Sequence, residues 1–155
     1  MLPVGFGGMW QVSTPEMTQN AERDQLSKQS EEISRETSRD KELRNWIEKL
    51  EEYESSIVED KDNYKRVDVN GYYSYSCMQF QLYTFWGYYE EWKEMKVTEK
   101  EARELIANCE RQKRLAVWMI KDDYSNWTHW RYSVEKRGLG YPPKNEKTEK
   151  KQNSD

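Results

Sequence analysis

The chain has 155 residues, 35% hydrophobic and 35% charged, with a mean hydropathy of -1.23 and a net charge of -4. That length suits one folded domain rather than two, and the low hydrophobic content requires solvated segments around a smaller core. No apolar run reaches the length of a membrane span, and Lys and Arg are scattered among Asp and Glu, so neither a membrane span nor a nucleic-acid partner is expected.

Aromatic residues locate the core. Of 7 Trp, 11 Tyr and 3 Phe, all but Phe6 and Trp10 fall between Trp46 and Tyr141. Such side chains bury large areas and can stabilise a small domain. Residues 1–37 mix Gly, Pro, Ser, Thr, Gln and charge without an apolar stripe. They read as a disordered arm or linker. The start of the chain lacks a basic segment followed by a sustained apolar one, so no signal peptide is visible.

Ser38 or Asp40 is suited to cap a helix that runs to about Ser56 and carries the apolar pattern of residues 43–58. Leu43, Trp46, Ile47, Leu50 and Ile57 recur at three- and four-residue steps along one side of it. Glu54 breaks that stripe from inside, whereas Glu48, Glu52 and Glu59 project away. A carboxylate aimed at a core loses water, its charged form is disfavoured, and its pKa rises. A general acid working near neutral pH needs that shift. The plainer reading is a surface glutamate, or one paired with a cation such as Arg66.

Residues 59–71 are polar and end in Asn70-Gly71, a turn signal. Alternation around Arg66-Val67-Asp68-Val69 suggests a short strand, paired with Tyr72 and Tyr73 beyond the turn. Glu59, Asp60, Asp62 and Asp68 are candidates for a second carboxylate. The run Tyr72 to Gln81 is rich in aromatics and amides. Its tyrosines can stack on sugar faces, and Gln79 and Gln81 offer both donors and acceptors. The alternative is a core turn in which Tyr75, Met78 and Phe80 pack.

Further along, Phe85, Tyr88, Tyr89 and Trp92 have helical spacing over residues 82–95, more consistent with core than with a cofactor box. Thr98-Glu99-Lys100-Glu101 is a capping box for another helix. Ala102, Leu105, Ile106 and Cys109 form its inner face. After a break near Asn108, Leu115, Ala116, Met119 and Ile120 continue, while residues 111–116 read as a solvated cationic face. Asp122 to Asn126 forms an acidic turn, followed by a short helix with Trp127, Trp130 and Val134 on one face, ending at Gly138. His129 reads as packed or surface-lying rather than catalytic, because no serine or cysteine motif accompanies it. Asn126-Trp127-Thr128 matches a glycosylation sequon, a weak signal. Cys77 and Cys109 permit one disulfide, although two small buried thiols is the favoured reading. No metal-ligand spacing is present, so no metal site and no cofactor are expected. Residues 144–155 read as a charged, disordered tail.

Glu54-Ser55 at a helix end, followed by a variable loop and Ser74-Tyr75-Ser76-Cys77-Met78-Gln79, resembles the lysozyme-like fold of lytic transglycosylases and goose-type lysozymes. The resemblance covers roughly residues 40–143. It implies a mainly α, lysozyme-like helical domain over 38–143, with a small β-hairpin or loop beside the cleft. It also implies a monomeric glycosidase of the cell envelope or extracellular space, acting on the MurNAc-β-1,4-GlcNAc bond of a peptidoglycan glycan strand. Glu54 would be its catalytic acid, and Gln79, Tyr75, Gln81 and Ser74 would bind substrate. The alternative is an inactive lysozyme-fold module that binds glycan or protein. Where the family usually has Gly, this chain has Ser76, which would be strained if that position takes a positive φ.

Overall fold

A computed structural model describes residues 15–56 and 58–144; Ile57, the start of the chain and residues 145–155 lie outside the described part. The protein is mainly helical with a small sheet. Helix α1 spans Pro15–Ser55, and strands β1 (Lys65–Val67), β2 (Tyr73–Tyr75) and β3 (Phe80–Gln81) follow. Then come α2 (Leu82–Lys93), α3 (Glu99–Ile106), α4 (Cys109–Asp122), a 3-10 helix (Tyr124–Trp130) and α5 (Arg131–Arg137). Among the described residues no helix is long and apolar enough to cross a membrane.

The chain divides into two compact units, residues 1–38 and 39–155. Within the first, residues 15–37 are helical rather than the expected disordered arm, with exposed side chains such as Met17 and Leu26. Pro15 suits a first helical position, and the segment beyond is rich in Glu, Gln and Arg, which favour helix even without a face to bury. Asp40 is accordingly no cap. It lies inside α1, and its carboxylate pairs with Lys121 of α4 at 2.9 Å.

In the second unit, Leu43, Trp46, Ile47 and Leu50 are buried as their spacing requires. They join Phe85 of α2, Ala102 and Ile106 of α3, and Leu115, Ala116, Met119 and Ile120 of α4 in one core. Phe80 meets Phe85 and Trp130 edge-on, with ring centroids 6.0 and 5.3 Å apart. Trp46 Nε1 donates to the Gly140 carbonyl at 3.0 Å, which ties the segment after α5 to α1.

Local signals account for most element ends. Thr98 and Glu101 close the expected capping box before α3. Asn108 caps α4, and Asp62 adds a second acceptor there, taking the Cys109 N–H at 2.7 Å. Asp123 caps the 3-10 helix, and Gly138, at φ 64°, ends α5 in the left-handed conformation.

The sheet is antiparallel in the order β1-β2-β3. Its hairpin closes through the Asp68 N–H to the Tyr72 carbonyl at 2.8 Å and the Gly71 N–H to the Asp68 carbonyl at 2.9 Å, with Gly71 at φ 82°. Register sets Arg66 opposite Ser74 and Ser74 opposite Gln81. These three therefore share one face, a polar row across the sheet, while Lys65, Tyr75 and Phe80 share the other.

Cys77 and Cys109 are joined by a disulfide, so the favoured reading of two separate buried thiols is corrected. Gln112 is a second correction. It belongs to the stretch read as a solvated face, yet it is completely buried. Its amide donates to the Tyr75 and Ile106 carbonyls, each at 2.8 Å, and accepts the Met78 N–H at 3.0 Å. A fully satisfied amide is inexpensive to bury and specifies geometry.

Candidate active site

Glu54 lies in the last turn of α1, half-buried, where the helix gives way to the loop leading into β1. Burial is the largest influence on its carboxyl and raises the pKa. A hydrogen bond with Ser133 of α5 and the charge of Arg66 oppose the rise, and the negative charge of Asp68 adds to it. Residues from two other parts of the chain therefore act on Glu54 of α1: Ser133 of α5 by hydrogen bonding, and Arg66 and Asp68 of the hairpin by charge. Arg66, which sequence reasoning offered as a possible ion-pair partner, does act on Glu54 but does not cancel the effect of burial.

Asp68 is the hub of the hairpin side. One of its oxygens accepts from the Ser74 hydroxyl and from Gln81 Nε2, the latter at 3.0 Å. Arg66 lies 3.9 Å from its other oxygen, and Gln81 also reaches Asn70 Oδ1 at 3.3 Å. The polar row of the sheet thus holds a carboxylate. Ser74 and Gln81, expected to touch substrate, both hydrogen-bond Asp68. Of the four acids considered for a second carboxylate, Asp62 is taken up by the α4 N-terminus and Asp60 by hydrogen bonds with Asn63 in its own loop. Glu59 is exposed, and its charge is not among the influences on Glu54. Asp68 is the one whose charge reaches Glu54.

Tyr75 occupies the opposite face of β2 from Ser74, and its hydroxyl meets Arg103 of α3. Gln79 donates Nε2 to the Ser76 carbonyl, while its Oε1 is buried without a hydrogen-bond partner among the described residues. The turn carrying Gln79 is unusual. Ser76 and Gln79 both adopt positive φ, 55° and 54°, and the Ser76 hydroxyl is also buried and unpartnered. Anchors on every side maintain this conformation. The Ser76 N–H donates to the Tyr64 carbonyl at 2.6 Å, Gln112 takes the Met78 N–H, Trp130 Nε1 donates to the Met78 carbonyl at 2.9 Å, and Cys77 is bonded to Cys109. Strain that persists only because its surroundings dictate it is a mark of functional sites.

Left-handed geometry at a non-glycine costs roughly 1–3 kcal/mol. Introducing glycine costs about 0.4–1 kcal/mol in unfolded-chain entropy. Strain relief is the larger effect, and loss of the unpartnered hydroxyl adds to it. Ser76→Gly is therefore expected to stabilise the protein by about 1 kcal/mol, read as a higher urea midpoint. An unchanged or lower midpoint would show that Ser76 is not strained.

Ser55, the partner of Glu54 in the short motif, points inward, donating to the Glu51 carbonyl at 3.0 Å and to the Glu51 carboxylate at 3.2 Å. That carboxylate also pairs with Lys61 and lies close to the disulfide sulfurs. Both thiols are committed to the disulfide, so this cluster is no metal site. His129 approaches the Tyr88 hydroxyl at 3.2 Å, and burial lowers its pKa. It packs edge-on against the Tyr88 ring, in keeping with a packed role. Asn126 of the sequon is engaged by Tyr88 and by the Met119 carbonyl. A separate concavity of about 420 Å³ involves Tyr89, Met95, Val97, Leu105 and Arg111, and Glu54 does not line it.

Comparison with known proteins returns nothing: no family model, curated protein or solved structure is significantly similar to this chain. Sequence reasoning missed Ser133 altogether. A small polar residue beside Trp130 and Val134 carries no signal until α5 is packed.

Proposed function

We propose that this protein is a peptidoglycan-cleaving glycosidase of the lysozyme-like kind, with Glu54 as its general acid. The observation that carries this reading is a half-buried glutamate at a helix end, its pKa raised by burial, which also feels the charge of a second carboxylate, Asp68 on the hairpin. Two carboxyl groups in unlike environments are the arrangement that glycoside hydrolysis uses. Protonated Glu54 gives its proton to the glycosidic oxygen as the anomeric C–O bond breaks and oxocarbenium character develops. Asp68, oriented by Ser74 and Gln81, positions a water whose oxygen bonds to the anomeric carbon while Asp68 takes its proton. Products then carry a reducing end. No metal or organic group enters the scheme, and the partner is a single glycan strand.

Asp68 favours hydrolysis over the transglycosylase course, in which Glu54 would recover a proton from the sugar's own 6-hydroxyl. The disulfide agrees with an oxidising setting such as the cell envelope or the extracellular space. A lysozyme-like module that only binds is the competing reading. It draws on the Ser133 hydrogen bond, which occupies part of the carboxylate.

Digestion of purified peptidoglycan, with fragments read by mass spectrometry, tests this. Reducing-end muropeptides are expected from the wild type. Anhydro products would move the chemistry to transglycosylation and remove the water-positioning role from Asp68. If folded protein releases no fragments, glycan cleavage is excluded.

A further inference from the structure

We propose that the C-terminal part of α5 and the adjoining end of α1 form a binding strip for carboxylate-bearing glycan, in which Arg137 and Lys136 meet carboxylates and Tyr53 and Tyr132 meet sugar faces. This rests on the glycan-cleaving reading and names what flanks the scissile bond.

The strip begins next to the acid. Tyr53 directly precedes Glu54, is 37% exposed, and has the Arg137 guanidinium 5.7 Å from its ring centroid. Ser133, one turn before Arg137 on α5, hydrogen-bonds Glu54 itself. Tyr132 extends the strip outward. It is 72% exposed, and Lys136 Nζ lies 2.9 Å from its hydroxyl and 5.1 Å from its ring centroid. The charge of Arg137 also reaches the Tyr132 hydroxyl, so the two tyrosine–cation pairs are neighbours.

Local charge here runs against that of the molecule. The net charge is -4, yet α5 carries Arg131, Lys136 and Arg137 against one acid, Glu135, and Arg66 adds a cation on the hairpin side of Glu54. Cations in a last turn complement the helix dipole, but the dipole does not call for an exposed tyrosine beside each of them. Among the described residues neither Lys136 nor Arg137 is in an ion pair. A guanidinium placed over a ring keeps its edge donors free for a planar carboxylate. Tyrosine offers a flat apolar face at little entropic cost, which suits a sugar ring. A neutral glycan would use the rings alone, whereas the stem peptides of peptidoglycan, or lactyl groups that carry no stem, supply the carboxylates that the cations require.

The full chain carrying Glu54→Gln, which cannot consume the ligand, is titrated with soluble peptidoglycan fragments, with the same fragments after methyl esterification, and with a chitin oligosaccharide. Acid fragments are expected to bind about tenfold more tightly than their esters, a preference erased by about 0.5 M salt. The double variant Lys136→Gln/Arg137→Gln in that background should bind acid and ester alike while keeping its affinity for the chitin oligosaccharide. Equal binding of acid and ester by the parent, a preference that survives in the double variant, or no binding at all would overturn the strip. Charge-dependent binding by a wild-type protein that releases no fragments would defeat the enzyme reading alone. Cleavage with charge-blind binding would defeat only the strip.

Discussion

Glu54→Gln is expected to abolish release of peptidoglycan fragments, with kcat reduced by about 10²–10⁴-fold as for loss of a general acid, in a protein that remains folded. Gln is nearly isosteric and cannot supply the proton. The same side chain sets the pH dependence. Burial raises its pKa, so the protonated form persists above the ordinary glutamate value of 4.5, and under the proposed mechanism fragment release should fall as pH climbs through the raised value. Arg66 opposes that rise, so Arg66→Gln should move the descending limb to higher pH. Stability follows by linkage. A folded-state pKa above the unfolded one contributes stability that is fully present below the unfolded value and lost as pH rises through the folded value. Glu54→Gln should therefore melt above the wild type near neutral pH, with the difference narrowing toward pH 4.5. Parallel melting curves across that range, or an unaltered rate of fragment release, would remove Glu54 from the role assigned to it.

Reducing the Cys77–Cys109 bond is expected to have the largest effect on stability. The bridged residues are 32 positions apart, a loop for which chain entropy alone gives about 3–4 kcal/mol at room temperature. The bond also anchors the turn that holds Ser76 and Gln79 at positive φ. Its loss should therefore lower fragment release by more than the unfolded fraction accounts for. Urea unfolding of the wild type with and without a phosphine reductant, and of Cys77→Ser, measures the first effect. Fragment release by the reduced, still folded protein measures the second. Equal midpoints in oxidised and reduced protein would mean that the bond contributes nothing. Full activity in the reduced, folded protein would mean that Gln112 and Trp130 maintain the turn unaided.

Both expectations rest on a site only partly legible in the chain. Glu54 was visible because one glutamate interrupts an apolar stripe of fixed period, and the helix carries that phase into the structure. The hairpin was visible from Asn70-Gly71 and the alternation before it, and it places Asp68 at its corner. Gln112 was misread, although it falls in phase with Cys109, Leu115 and Met119 on the buried side of α4. Three neighbouring cations outweighed that spacing. Ser74 and Gln81 stand out in the sequence as polar groups suited to a sugar, and the structure adds a second role. Their hydrogen bonds to Asp68 depend on strand register, and the two-residue β3 is too short to announce itself.

By itself the sequence determined what acts over a few residues: the cap at Thr98, the break near Asn108, the stop at Gly138, the inward faces of α1 to α4, and one carboxylate turned toward a core. Tertiary structure alone decided that Ser133 meets that carboxylate, that the charge of Asp68 rather than Asp62 reaches it, that Cys77 bonds Cys109, and that Arg137 lies over Tyr53. Periodicity and capping are imposed by backbone geometry within one or two turns and leave a pattern in the chain. Pairings between distant residues arise only when packed elements bring them together, and no local pattern encodes them.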